Sequence, residues 1–291
     1  MSRSAIADPR PPTGPGPAPA PLEPVSEAGR EVSEETYWRD YYFQSDIHYE
    51  WNRGRLEEKP VSDYESFLVY HWFMALLSHF LKARPIAKLV ALEMGFRLPL
   101  SDGVVIRKPD FGVVCDDNPQ PLLPHDHSYH GVYDLCVEAL SDRKKRDIER
   151  DTVTKKAEYA AGGVPEYYIL HHAPEHQAFF TRTGAGVYAP IEPVDGVIHS
   201  RVLPGFRFRL SDLIERRDDE ALRDDPVYGE FVLSRWREDR ERADTEARRA
   251  DAEAERAEAE AIARVDAEAR AREAEAALAR LRARLEDRGQ T

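Results

Sequence analysis

Residues 131–140, Gly-Val-Tyr-Asp-Leu-Cys-Val-Glu-Ala-Leu, constrain this chain most. Read as a strand, the run is apolar on both faces, which predicts a place in the interior of a sheet. Glu138 lies within it. An ionised carboxylate is expensive in a core unless it is paired or binds a metal. The fold must therefore bring a compensating charge to the middle of the sheet.

A second acid has a similar setting. Asp110 follows Lys108-Pro109 and precedes the apolar Phe111-Gly-Val-Val114. Two such acids on neighbouring strands make a hard-oxygen site suited to Mg²⁺, with Mn²⁺ as the alternative. Lys155, on the helix predicted over residues 147–162, adds a positive charge beside that site. Together these groups are the equipment for cutting a phosphodiester.

Composition narrows the class. The net charge of −13 argues against a protein that coats nucleic acid non-specifically. Local basic segments still allow a nuclease. The two cysteines, Cys115 and Cys136, lie in apolar strand-like runs and read as buried small hydrophobes, so a cytoplasmic location is expected. No stretch approaches the roughly 18 apolar residues of a membrane span.

The expected organisation has four parts. Residues 1–33 are a Pro-rich disordered leader. Residues 34–217 form an α/β domain, 218–234 a linker, and 235–288 a long charged helix. Within the domain, residues 49–56 read as two short strands around an Asn-Arg-Gly turn, and Ser66 to Arg84 as a helix. Val90 to Leu100, Val104 to Cys115 and Gly131 to Leu140 read as strands. From Arg235 to Arg288 the chain is almost only Ala, Glu, Arg, Asp and Leu, without Gly or Pro. Alanines at 243, 247, 250, 254, 257 and 261 have the spacing of a coiled-coil seam, which slips and resumes through Ala271, Ala274, Leu278, Leu281 and Leu285. A homodimer is expected, through this helix or through the α/β domain, with a protein partner through the helix as a further expectation. A solvated single helix held by Glu–Arg pairs is the alternative.

Five pieces in order resemble the Uma family of restriction endonucleases, within the PD-(D/E)XK nuclease superfamily. They are Tyr49-Glu50-x-x-x-Gly54-Arg-Leu56, Pro109-Asp110, Val137-Glu138-Ala-Leu-Ser141, Lys155-x-x-x-Tyr159-x-x-x-Gly163-Val-Pro-Glu-Tyr-Tyr168, and Leu203-Pro-Gly-Phe206. The resemblance covers about Tyr41 to Leu213. It implies a restriction-endonuclease-like core, a central mixed β-sheet flanked by helices, and a Mg²⁺-dependent endonuclease acting on DNA. Asp110 and Glu138 would hold the metal, with the Ala139 carbonyl as a further ligand. Lys155 would orient and help deprotonate water, or neutralise charge on the phosphate; Lys156 is the neighbouring alternative. Glu50 would be an extra acid near the site. The sequence departs from the superfamily at Leu140, where the motif lysine normally stands, and at His171, where family members often show an aspartate.

Other readings stand beside these. Asp110 could cap a turn after Pro109. A buried Glu138–Lys155 ion pair in an inactive fold is the alternative to catalysis, and makes the chain a binding protein assembled through its C-terminal helix. Arg143-Lys144-Lys145-Arg146 could contact phosphates or form a solvated loop. The histidines at 125, 127 and 130, and at 171, 172 and 176, lack the H-E-x-x-H helix pattern. Ser141 lacks the glycines of a nucleophile elbow.

Overall fold

The structure is a computed structural model and describes residues 25–141 and 144–288. The leader expected over residues 1–33 lies outside the described residues as far as residue 24. Its last part is folded. Gly29 and Val32 donate backbone hydrogen bonds to Leu56 and Gly54, and Arg30 accepts one from Leu56. These groups complete the ladder of an edge strand, so order begins upstream of Glu34.

Two compact units divide the chain: residues 25–74 with 86–215, and residues 75–85 with 216–288. The first opens with α1 (Glu34–Thr36), capped by Ser33, and a π-helical turn over Tyr37–Tyr42. The hairpin β1 (Tyr49–Asn52) and β2 (Arg55–Glu58) follows. Arg53 and Gly54 both take positive φ at its turn, which the Asn-Arg-Gly sequence tolerates. Helix α2 (Tyr64–Ala83) comes next, then β3 (Ala87–Val90), β4 (Phe96–Leu100), β5 (Gly103–Arg107) and β6 (Phe111–Cys115). After β7 (Leu135–Ala139) come α3 (Lys145–Glu149), a π-helical turn over Arg150–Lys155, and α4 (Lys156–Gly162). Gly163 closes α4 in the left-handed region. Strands β8 (Glu166–Leu170), β9 (Ala178–Arg182), β10 (Tyr188–Pro190), β11 (Val197–His199) and β12 (Arg207–Arg209) lead to α5 (Asp212–Glu215).

Two runs expected as single strands are broken. Pro109 lacks a ladder donor, and at Lys108-Pro109-Asp110 the chain leaves one sheet for another. Val90 to Leu100 is interrupted by Leu92 and Glu93, both with positive φ. Between Gly131 and Leu140 only Leu135–Ala139 is strand.

The main sheet has six strands in the order β10-β9-β8-β7-β6-β3. Strands β7 and β8 are parallel and every other pair is antiparallel, so the sheet is mixed, with β7 in its interior. One face presents Cys136, Tyr167 and Ile169 to a core with Tyr159 of α4. On the other, Phe73 of α2 sits against Phe111, Tyr168, Phe206 and Phe208. A four-stranded antiparallel sheet has the order β2-β1-β5-β4. This is the mixed, helix-flanked α/β architecture expected from the sequence.

In the second unit, residues 218–234 are more than a linker. They contain α6 (Asp219–Arg223), capped by Asp218, and bury Leu222, Tyr228, Phe231 and Val232. The Phe231 ring lies 5.5 Å from that of Phe80. Helix α7 (Ser234–Arg288) then runs without interruption.

Candidate active site

Strand pairing creates the site. Phe111 of β6 faces Val137 of β7, so one residue further Asp110 stands across from Glu138. The Ala139 backbone N–H donates to Asp110 Oδ2 at 2.6 Å, which fixes the first acid on the second strand. The Glu138 side chain shares the sheet face of Cys136, toward α4, and the Tyr159 hydroxyl donates to Glu138 Oε1 at 2.8 Å. Tyr159 is thus core and site partner at once.

Lys155 ends the π-helical turn and has no exposed surface. Its Nζ lies 2.9 Å from Glu138 Oε1, 3.3 Å from Glu50 Oε1 and 3.4 Å from Asp151 Oδ1. None of the three approaches has hydrogen-bond geometry, so the ammonium is held by charge from several sides rather than by one aligned bond. Lys156 points elsewhere, with its ammonium 4.0 Å over the Phe180 ring. The structure therefore brings Lys155 to the acids and leaves Lys156 away from them.

Glu50, the second acid beside that ammonium, is fully buried. It accepts from the Lys108 backbone N–H at 2.7 Å and pairs with Arg107 at 3.1 Å. Its place is that of a group that positions Lys155 and the Lys108-Pro109-Asp110 bend. Arg107 also pairs with Glu158 and Glu57, and Glu158 with Arg53.

The charges tune one another. Burial pushes the Glu138 carboxyl up to about 7, with Lys155 pulling against it. Burial also acts to raise Glu50, but Lys155, Arg107, Lys59 and Arg150 outweigh it and hold that carboxyl well below the usual carboxylate range. For Lys155, burial works against the charge; Glu138, Glu50 and Asp151 outweigh it and keep the ammonium protonated above its ordinary range.

Several partners have no strong signal in the sequence. Asp151 could have been found from its i,i+4 spacing to Lys155. Lys59 could not: it ends the β1–β2 hairpin, yet its ammonium donates to Asp110 Oδ1 at 3.1 Å and to the Lys108 carbonyl at 2.7 Å. Lys144, Lys145 and Arg146 are exposed, and Arg143 lies outside the described residues.

Residues 34–211 match a family with the description "Uma2: Putative restriction endonuclease". The chain belongs to the Uma2 family. A crystal structure titled as a putative nuclease belonging to DUF820, from Anabaena variabilis, is also similar. It has 14% identity and a TM-score of 0.47, over 59% of this chain and 92% of that one. Among curated proteins, none matches. The Uma2 match includes Glu50, Asp110, Glu138 and Lys155, and it ends before α7.

Among the described residues, no group of three or more His, Cys, Asp or Glu side chains is arranged to hold a metal by itself. Two carboxylates completed by water are nonetheless an ordinary arrangement for magnesium. The donor set at Asp110 and Glu138 is hard oxygen. A cation, the Lys59 ammonium, already stands against Asp110 Oδ1. The residues present fit a small divalent ion. No described helix is long and apolar enough to cross a membrane.

Proposed function

We propose that this protein is a Mg²⁺-dependent endonuclease that hydrolyses DNA phosphodiester bonds. One observation carries the reading: two acids, Asp110 and Glu138, stand across from one another on neighbouring chain segments, and a buried lysine from the following helix, Lys155, lies 2.9 Å from Glu138. Asp110 and Glu138 would hold the ion, with the Ala139 carbonyl as a further ligand. Such an ion supplies neutralisation of the phosphate charge and makes water more acidic. Mn²⁺ suits the same donors.

The protein's own groups do the rest. The Ala139 N–H and the Tyr159 hydroxyl fix the two carboxylates. Lys155 is held protonated by three acids, which supports electrostatic help to the phosphate and orientation of water over a role as the base. Glu50 positions that ammonium. Plasmid cleavage with Mg²⁺ or Mn²⁺, wild type beside Asp110→Ala and Glu138→Ala, tests the reading. Cutting by wild type alone supports it; equal cutting by the variants sinks it.

A specific observation favours a second reading. Lys155 has no exposed surface, as a purely structural ion pair would have. The chain would then be a nuclease-fold binding protein assembled through α7, and neither acid variant would change its metal binding.

We also propose that α7 forms a coiled coil and makes the chain a homodimer, which would supply two sites for a double-strand cut. In the single chain Ile262, Val265 and Leu278 of α7 are exposed. Deleting residues 235–291 should lower the number of chains per particle, from the mass measured by solution scattering, from two to one; a truncated protein that stays at two chains per particle rules α7 out as the dimer element.

A further inference from the structure

Lys59 is a buried charge that the chemistry above does not use. Its side chain is 6% exposed, and its Nζ contacts the Lys108 carbonyl at 2.7 Å, Asp110 Oδ1 at 3.1 Å and Glu93 Oε1 at 3.5 Å. Asp110 keeps a 19% exposed carboxylate, open to a solute ion. Its Oδ2 is taken by the Ala139 N–H. Oδ1 is the oxygen without a backbone donor, the more available of the two to an arriving cation, and Lys59 holds it.

A second acceptor waits beside Lys59. Glu93 follows Leu92, and both have left-handed backbones, with φ of 55° and 60°. Consecutive non-glycine residues in this region are strained, and persist where the surroundings hold them. The bend aims the Glu93 carboxylate at Lys59 and at His48 Nδ1, 2.6 Å away. Glu93 also borders a cleft of about 370 Å³ shared with Tyr42, His48 and Lys108.

We propose that Lys59 is the resident counter-cation of this site: it occupies Asp110 Oδ1 in the metal-free protein and gives that oxygen up to a divalent ion while keeping Glu93 and the Lys108 carbonyl. The inference rests on the reading of Asp110 as a metal ligand. A monovalent and a divalent cation cannot share one carboxylate oxygen at contact distance without strong repulsion. Lys59 therefore sets how tightly the site takes metal. The coupling is reciprocal: an anionic group that draws the ammonium away, such as a phosphate of bound nucleic acid, strengthens metal binding by the factor by which metal strengthens its own. Metal loading and substrate binding are tied together through one side chain.

The test is Mn²⁺ binding by calorimetry on the full chain, without nucleic acid, for wild type, Lys59→Met, Lys59→Arg and Asp110→Ala. Lys59→Met should bind Mn²⁺ at least about tenfold more tightly, corresponding to about 1.4 kcal/mol. Lys59→Arg, which keeps the charge, should not tighten binding, and Asp110→Ala should lose the site. Near-UV circular dichroism checks each fold, and Lys59→Gln replaces Lys59→Met, with the same expectation, should the latter fail to fold. Equal or weaker binding by Lys59→Met, with Asp110-dependent binding intact in wild type, overturns the inference and leaves the metal site standing. Equal tightening by Lys59→Arg overturns it in favour of packing. No Asp110-dependent binding in wild type or in Lys59→Met removes the metal reading as well.

Discussion

Replacing Lys155 by methionine removes a cation that lies within 3.4 Å of three buried acids, Glu138, Glu50 and Asp151. The consequences for those acids differ. Glu50 keeps Arg107 at 3.1 Å, and Asp151 keeps Arg150 at 3.1 Å. Glu138 keeps only the neutral hydroxyl of Tyr159 among its close contacts at Oε1. The loss therefore falls mainly on Glu138. Lys155 has no exposed surface, so solvent screening does not discount the effect. Breaking a buried pair by removing one partner costs about 3–5 kcal/mol. Urea unfolding at pH 9, where Glu138 is ionised in the wild type, followed by fluorescence, should show a loss of about 3 kcal/mol for Lys155→Met, since protonation of Glu138 caps the cost at about 1.4 kcal/mol per pH unit above its pKa. Adding Glu138→Gln should restore about half of it or more, because the orphaned charge is gone. The loss should also shrink below pH 6, where Glu138 takes up a proton and no longer needs the ammonium. A Lys155→Met protein within about 1 kcal/mol of wild type, or a double variant as unstable as the single one, would refute this account of the charge cluster.

Three further outcomes are expected. Glu138 has a folded pKa of about 7 against an ordinary 4.5, so the native state holds a proton that the unfolded chain releases; its contribution to stability is full below about pH 4.5 and is lost as pH rises to about 7, by about 3 kcal/mol. Urea midpoints across that window in wild type and Glu138→Gln should differ in slope, and parallel curves would count against it. Gly112→Ala should cost about 1–3 kcal/mol, because a Cβ there meets the Tyr133 ring at 2.7 Å; thermal unfolding measures it. Asp110→Asn should keep the fold, since Asn can still accept from the Ala139 N–H, yet lose divalent-ion binding and plasmid cleavage; binding at wild-type affinity would contradict the role given to Asp110.

The features legible in the sequence are those with a local signature. The hairpin over residues 49–56 shows through its turn, and the interior place of β7 through its unbroken apolar run. Asp110 and Glu138 stand out because carboxylates are out of place among such neighbours. The Arg107–Glu50–Glu158 network is illegible because Arg107 lies more than fifty residues from either acid and meets them only when β1 pairs with β5 and α4 packs against that sheet. Lys59 looks like any charged residue at the end of a hairpin. The break at Lys108-Pro109-Asp110 was available from Pro109, but which sheet each half joins is a matter of tertiary pairing.

The π-helical turn over Arg150–Lys155 bears on how this protein can change over time. A π turn carries one residue more than the α-helical turn it replaces. Each helical residue advances the direction of its side chain by about 100°. Removing a single residue from that turn would restore ordinary helix phase and swing Lys155, with α4 beyond it, relative to Arg150 and Asp151. Conversely, one inserted residue in an α-helical ancestor is enough to turn a lysine from one face of the helix to another. The position of the buried ammonium is thus a matter of counting as much as of chemistry, and gaps in this stretch carry more weight than substitutions do.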